Sequence, residues 1–156
     1  MKKSLLIVLL IVFAFGAKAQ DYDMAIGLRL GLGSGLTFKK VISKNASFEA
    51  LAEFRYGFNL TGLYEINRYD AFDVDRLNWY FGGGAHIGSY RGYRTRRSDF
   101  KHESELALGL DGIIGIEYNF VEAPINLSLD WKPTLNFVGY DGLYGDNGSL
   151  SVRYIF

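Results

Sequence analysis

The chain has 156 residues, 17 basic and 17 acidic side chains and no cysteine, and its length is typical of one domain. The even charge balance argues against a nucleic-acid-binding protein, which usually carries a basic excess. The lack of cysteine excludes disulfides, a cysteine-ligated zinc site and a thiol nucleophile. An aromatic content of 16% together with 19 glycines favours a protein built from strands, because aromatic residues are enriched in strands and glycine occurs where backbones crowd.

Residues 1–19 have the features of a cleaved secretory signal peptide. A basic start at Lys2 and Lys3 precedes an almost unbroken apolar run and the A-x-A cleavage pattern Ala17-Lys18-Ala19. The alternative is a retained anchor, but the run is short for a spanning helix, which needs about 20 apolar residues. We expect cleavage after Ala19, export, and a mature domain over residues 20–156 with a net charge of −3.

In the mature chain, apolar residues alternate with small or polar ones, which is typical of strands with two unlike faces. The alternation predicts eight strands, over residues 24–32, 35–43, 46–57, 59–68, 78–90, 105–120, 125–137 and 148–156. The strand over 105–120 is the clearest, and the strand over 35–43 is the least regular because Lys40 falls on its apolar side. Strands of this length suit a tilted barrel that crosses a membrane.

The connections between these strands differ in length. Residues 43–46 and 121–124 form short turns, whereas 91–103 and 138–147 form longer loops. Short turns at one end and long loops at the other are typical of outer-membrane barrels. The connection over 69–77 departs from this pattern, because a long segment falls on the short-turn side.

Pro133 lies inside the strand predicted over 125–137. Proline has no N–H to donate to a strand ladder and avoids strand interiors. We therefore expect a bulge or a gap in the ladder there. The functional alternative is a lateral opening of the barrel wall toward lipid.

Alternation alone does not decide which face points inward, because a soluble lipocalin-like barrel would place its apolar face inside. The interior of an eight-stranded barrel is only just wide enough to be filled by side chains, and the apolar face here carries too many bulky residues to fit. The other face is rich in glycine and carries both charge signs in near balance. Its charged residues are Arg29, Lys39, Arg55, Lys132 and Arg153 with Glu49, Glu53, Glu65, Asp111, Glu117 and Asp130.

The fold class predicted from these observations is all-β, an eight-stranded antiparallel up-and-down transmembrane β-barrel. The charged residues and His86 would form a paired polar network that fills the interior. Aromatic residues sort by strand end, as expected for girdles at two membrane interfaces. One predicted rim carries Phe48, Tyr64, Trp79, Phe81, Tyr118, Phe120, Tyr154 and Phe156, and the other carries Tyr56, Phe58 and Phe137.

The signal, the alternating strands and the final Leu150-x-Val152-x-Tyr154-x-Phe156 resemble the small outer-membrane barrels of the OmpA/OmpX type. Segments such as AIGLRLG and LSLDWKPTLNF are similar to short barrel proteins of Bacteroidota. The resemblance implies a monomer integral to the outer membrane, with its lipid and lipopolysaccharide as surroundings. It also implies that Tyr154 and Phe156 act as an insertion signal for the barrel-assembly machinery. Most members of this group have no assigned activity, so the resemblance implies little chemistry.

An enzymatic alternative comes from His102-Glu103-Ser104, whose H-x-S spacing resembles outer-membrane lipid A deacylases. On a strand, the His and the Ser would share a face, so the His could activate the Ser. The orienting carboxylate is lacking, because Glu105 and Glu117 have the opposite parity. We therefore predict no enzymatic activity, and keep as alternatives a lipid-modifying barrel enzyme using this pair or His86, and a soluble periplasmic binding barrel.

Two loops carry clustered charge. The loop after the fifth strand is strongly basic, and because arginine binds phosphate bidentately, it is a candidate contact for lipopolysaccharide phosphates. Its basic residues are Arg91, Arg94, Arg96, Arg97 and Lys101. Asp70, Asp73 and Asp75 lack the Gly and terminal Glu of a calcium loop, and a single His without clustered partners is a weak metal site. We expect no metal and no cofactor.

Overall fold

The computed structural model describes residues 23–54, 57–69, 74–91, 104–138, 142–145 and 147–156. Strands β1 to β6 are Met24–Gly31, Ser34–Ser43, Ala46–Phe54, Gly57–Arg68, Leu77–Arg91 and Ser104–Asn119. Two further strands consist of two segments each, namely Ile125–Trp131 and Thr134–Val138 for β7, and Gly142–Tyr144 and Gly148–Ile155 for β8. Over these ranges the chain forms no helix, and thus none long and apolar enough to cross a membrane.

Each strand pairs antiparallel with its neighbours in chain order, and β8 pairs with β1, so the sheet closes on itself. The predicted eight-stranded antiparallel up-and-down barrel is therefore confirmed. Two predicted boundaries are wrong. The third strand ends at Phe54 instead of residue 57, and the eighth begins at Gly142 inside the loop expected over 138–147.

The strands are staggered around the barrel. The cross-strand partners that connect Arg29 through β2, β3, β4 and β5 end at Ala107 on β6. Those that connect Arg29 through β8 and β7 end on the same strand at Glu117. The register therefore shifts by ten residues on closure, which for eight strands corresponds to a tilt of about 40°. A barrel of this size has room for side chains but for no wide channel.

Pro133 interrupts β7. The pairing of β7 with β6 stops at Trp131 and resumes beyond the proline, so the gap in the ladder that the sequence predicted is confirmed. The wall stays bonded at this point, because the Gly112 N–H donates to the Pro133 carbonyl and the Lys132 N–H to the Asn147 carbonyl, both at 2.9 Å. These bonds leave no lateral opening between β6 and β7 at the proline.

The first and last strands end together at one rim, which we call the terminal rim. Met24 and Phe156 exchange backbone hydrogen bonds there, at 3.1 and 2.9 Å. Three connections lie at this rim, over residues 44–45, 69–76 and 120–124. At the opposite rim, residues 32–33 and 55–56 are also short links. The predicted contrast between a short-turn rim and a long-loop rim is therefore wrong for the first half of the barrel.

The two faces of the wall have opposite compositions. Inward side chains are mostly polar or charged and are buried by the barrel, whereas outward side chains are mostly aliphatic or aromatic and exposed. Aromatic pairs lie on the outer face near both rims. Near the terminal rim they are Trp79–Phe81, Tyr118–Phe120 and Tyr154–Phe156, with ring centroids 5.1 to 6.2 Å apart. Near the opposite rim, Phe54 and Phe58 have ring centroids 5.3 Å apart.

Candidate functional site

The charged interior is the strongest candidate for a site, because a buried charge is costly unless it is paired. Strand alternation turns these side chains inward, and eleven of the twelve predicted network residues are at most 4% exposed. They are Arg29, Lys39, Glu49, Glu53, Glu65, His86, Asp111, Glu117, Asp130, Lys132 and Arg153. The twelfth, Arg55, lies outside the described residues.

Arg29 on β1 is the centre of a first group of ion pairs. Its guanidinium donates to both carboxylate oxygens of Asp130, at 2.8 and 2.6 Å, and to Glu53 Oε1 at 3.2 Å. The Lys132 ammonium lies 3.0 Å from Glu53 Oε2 and 3.2 Å from Asp111 Oδ1. Bidentate arginine–carboxylate contacts are strong and directional. This group therefore ties β1, β3, β6 and β7 together across the lumen.

Arg153 on β8 holds a second group. It pairs with Glu49 and donates to Asn126 Oδ1 at 2.9 Å and to Ser128 Oγ at 2.8 Å. Its Nε also donates to the Thr37 hydroxyl at 3.1 Å. Four acceptors thus surround one guanidinium, which satisfies most of its donors without water.

Lys39 on β2 extends this second group. Its ammonium lies 3.0 Å from Glu65 Oε2 and 2.9 Å from Glu117 Oε2. It also lies 4.2 Å from the ring centroid of Tyr80, within the range of a cation–π contact. The Tyr80 hydroxyl donates to Asp130 at 3.3 Å, so the two groups of ion pairs are connected.

His86 and Asp111 form the arrangement closest to catalytic geometry. His86 Nδ1 lies 2.7 Å from Asp111 Oδ2, and the Thr134 hydroxyl donates to Asp111 Oδ1 at 2.7 Å. A His oriented by a carboxylate activates a nucleophile through its other nitrogen. In the described part of the chain, His86 Nε2 has no hydrogen-bond partner. Through these contacts, His86, Asp111 and Thr134 join β5, β6 and β7.

An apolar cluster fills the lumen beside the ion pairs. It consists of Leu51, Leu63, Tyr80 and Ile113, all nearly inaccessible to solvent. The alternation of each strand puts these residues on the inner face, and Ile113 shares the parity of Asp111. The adjacent outward Ile114 obscures this signal in the sequence. The cluster excludes water, which strengthens the neighbouring ion pairs.

The other candidate sites fall mostly outside the description. Arg91 is the last residue of β5, but the remaining bases of the lipopolysaccharide set lie outside the described residues, as do His102, Asp70 and Asp73. Ser104 is the first residue of β6. Over the ranges that are described, no group of three or more His, Asp or Glu side chains could hold a metal ion.

Within the described interior, four cationic side chains face six carboxylates. Contacts such as Arg29–Asp130, Lys39–Glu117 and Arg153–Glu49 join strands far apart in sequence. No protein-family model matches the chain, and no curated protein matches its sequence significantly.

Proposed function

We propose that the chain is an integral outer-membrane β-barrel protein without enzymatic activity, whose role is structural or is carried by surface loops. One observation carries the proposal: charged side chains are buried inside the barrel while large apolar side chains cover its outside. In a barrel surrounded by water the expected distribution is the reverse. In a membrane barrel, an apolar outer band and a polar interior are the rule.

The outer apolar band runs around the whole circumference. Soluble monomers rarely expose apolar patches above a few hundred Å². Every strand here exposes a large apolar side chain, for example Leu28, Leu36, Phe48, Leu60, Ile87, Leu108, Leu129 and Val152 on β1 to β8 in turn. Lipid chains would cover this surface, whereas contact with water would disfavour it.

The aromatic pairs near the two rims support the same placement, because aromatic side chains favour membrane interfaces. We propose that the terminal rim faces the periplasm, where Tyr154 and Phe156 would be read by the barrel-assembly machinery. The basic residues between β5 and β6 would then face outward, where they contact lipopolysaccharide phosphates.

The two alternatives have less support. A binding barrel for an apolar ligand requires an apolar cavity, but ion pairs and the Leu51–Leu63–Ile113 cluster occupy the described lumen. A lipid-modifying enzyme requires a nucleophile within reach of a base, but His86 Nε2 has no hydrogen-bond partner among the described side chains, and His102 lies outside them.

Membrane fractionation with gel electrophoresis tests the proposal. We expect the protein in the outer-membrane fraction, extracted only by detergent, with faster migration in unheated samples because the closed barrel resists unfolding. Recovery as a detergent-free soluble monomer would refute the proposal. An altered lipid A profile in cells that lack the protein would favour the enzymatic alternative instead.

A further inference from the structure

We propose that the outer wall over β4 to β7 binds one phospholipid of the periplasmic leaflet, with an acyl chain in an apolar groove and the phosphate at Arg68. This inference rests on the proposed membrane location and adds a specific lipid site to it. The groove has a volume of about 770 Å³, within the range of about 300–1,000 Å³ typical of small-ligand sites. Its apolar lining consists of Trp79, Ile114, Ile116, Leu129 and Trp131.

Both tryptophans of the chain line the groove, and each is held in place. Trp79 on β5 stacks on Phe81, with ring centroids 5.3 Å apart. The Trp131 indole N–H donates to the Gly145 carbonyl at 2.6 Å. The backbone of Gly115, whose Cβ position points into the barrel, also lines the groove. The groove is therefore bounded by fixed aromatic walls, and lipid binding would require little reordering.

The register places a cation at one end of the groove. Arg68 pairs with Trp79, Trp79 pairs with Ile116, and Ile116 pairs with Leu129. These four outward residues form one row across four strands. Because the strands are tilted and staggered, the row climbs from the terminal rim toward the middle of the barrel. A chain lying along it would run from an interface into the bilayer.

Arg68 is the last residue of β4, and its side chain is exposed on the outer face, since its neighbour Asn67 points inward and is buried. A guanidinium recognises a phosphate through two parallel hydrogen bonds. An apolar groove that starts at an arginine at the interface fits a lipid whose phosphodiester headgroup carries a net negative charge. Lys40 on β2 is an exposed cation near the same rim but does not lie on this row, and it serves as a matched control.

Quenching of tryptophan fluorescence by brominated lipid tests the proposal. The protein is inserted into phosphatidylcholine vesicles that hold a minor fraction of phosphatidylglycerol with brominated acyl chains. The variants Trp131→Phe and Trp79→Phe each leave one reporter in the groove. We expect the fraction of brominated lipid next to both tryptophan reporters to be about five-fold above its bulk fraction. An enrichment of this size corresponds to the attraction between one interfacial cation and an anionic lipid. Arg68→Gln should reduce this enrichment to the bulk value, while Lys40→Gln should leave it unchanged.

A groove-filling variant, Leu129→Phe, keeps Arg68 and should also abolish the enrichment. Quenching that follows bulk composition in the parent, or enrichment that survives Arg68→Gln, would overturn the lipid site while leaving the membrane location intact. Failure of the membrane location has a different signature, since neither tryptophan would then be quenched even in fully brominated vesicles. Heat-modifiable migration of each variant establishes that the barrel has folded.

Discussion

The inner and outer faces of the same strand follow opposite rules. On β1, Leu28 is 57% exposed, whereas the next residue, Arg29, is fully buried. Leu28 pairs outward with apolar neighbours on the adjacent strands, and Arg29 bonds to Asp130, 101 residues away. The comparison indicates that an outward residue needs only an apolar side chain, while an inward residue needs a particular hydrogen-bonding or ionic partner.

This difference assigns different tasks to the two faces. If lipid surrounds the barrel as proposed, any large apolar residue can cover the outside, because apolar burial has no directional requirement. Inside the barrel, each charged side chain needs a partner at the same level along the barrel axis. A guanidinium that lies out of reach of a carboxylate remains an unpaired buried charge. The ion pairs that join distant strands therefore favour one register at closure over its neighbours.

The largest expected loss of stability follows from removing the Arg29 guanidinium from the inner face. Arg29→Met leaves the carboxylates of Asp130 and Glu53 without the guanidinium, and we expect a loss of about 3–5 kcal/mol in the free energy of unfolding. Urea titration of the vesicle-inserted protein measures it. The double variant Arg29→Met with Asp130→Leu should recover part of the lost stability, because it also removes the Asp130 carboxylate that Arg29→Met leaves unpaired. Equal stability of Arg29→Met and the parent would contradict the paired-interior description.

A charge on the outer face tests what surrounds the barrel. Leu28 lies in the middle of β1, and Ile42, which is 58% exposed, lies near the end of β2. If lipid surrounds the barrel, Leu28→Arg should cost about 2–4 kcal/mol and Ile42→Arg only about 0–1 kcal/mol. If water surrounds it, both changes should stay within about 0.5 kcal/mol. Comparison of the two unfolding free energies decides between these cases.

The sequence predicted the strands and the composition of their faces, because a period of two is visible locally. Even Lys40, irregular in that pattern, is an exposed residue of β2. The end of β3 at Phe54 was missed because the alternation of the sequence continues through Tyr56, so nothing local marks the end of the strand. The first segment of β8, Gly142–Tyr144, was missed because three residues carry too little pattern.

The partners inside the barrel were beyond sequence reasoning. Arg29 could be placed inside by parity, but its pairing with Asp130 depends on the ten-residue stagger between strands far apart in the chain. His86 differs, because its partner Asp111 lies on the neighbouring strand β6, diagonally across the β5–β6 pairing. Lys39 on β2, in contrast, reaches Glu117 on β6 across the lumen.

Glycine-to-alanine substitutions compare the inner and outer faces with smaller expected losses in the free energy of unfolding. A Cβ at inward Gly84 would lie 1.8 Å from the Gly62 carbonyl oxygen, whereas one at outward Gly62 would meet only the Phe48 ring, at 3.4 Å. Gly84→Ala must shift the backbone, and we expect a loss of about 1–3 kcal/mol. Gly62→Ala should be close to neutral. Urea midpoints that coincide for the two variants would show that the inner face is less crowded than described.

The smallest effect separates two serines that face each other inside the barrel. Ser128 and Ser151 are cross-strand partners and are equally buried, but Ser128 accepts a hydrogen bond from Arg153 at 2.8 Å, while Ser151 Oγ has no partner in the described structure. Ser128→Ala should therefore cost about 1 kcal/mol, since Arg153 keeps its other acceptors. Ser151→Ala should be neutral or slightly stabilising, because it removes a buried hydroxyl without a partner. Urea titration of the two variants side by side measures the difference, and equal losses would mean that burial, and not pairing, sets the contribution of an inward residue.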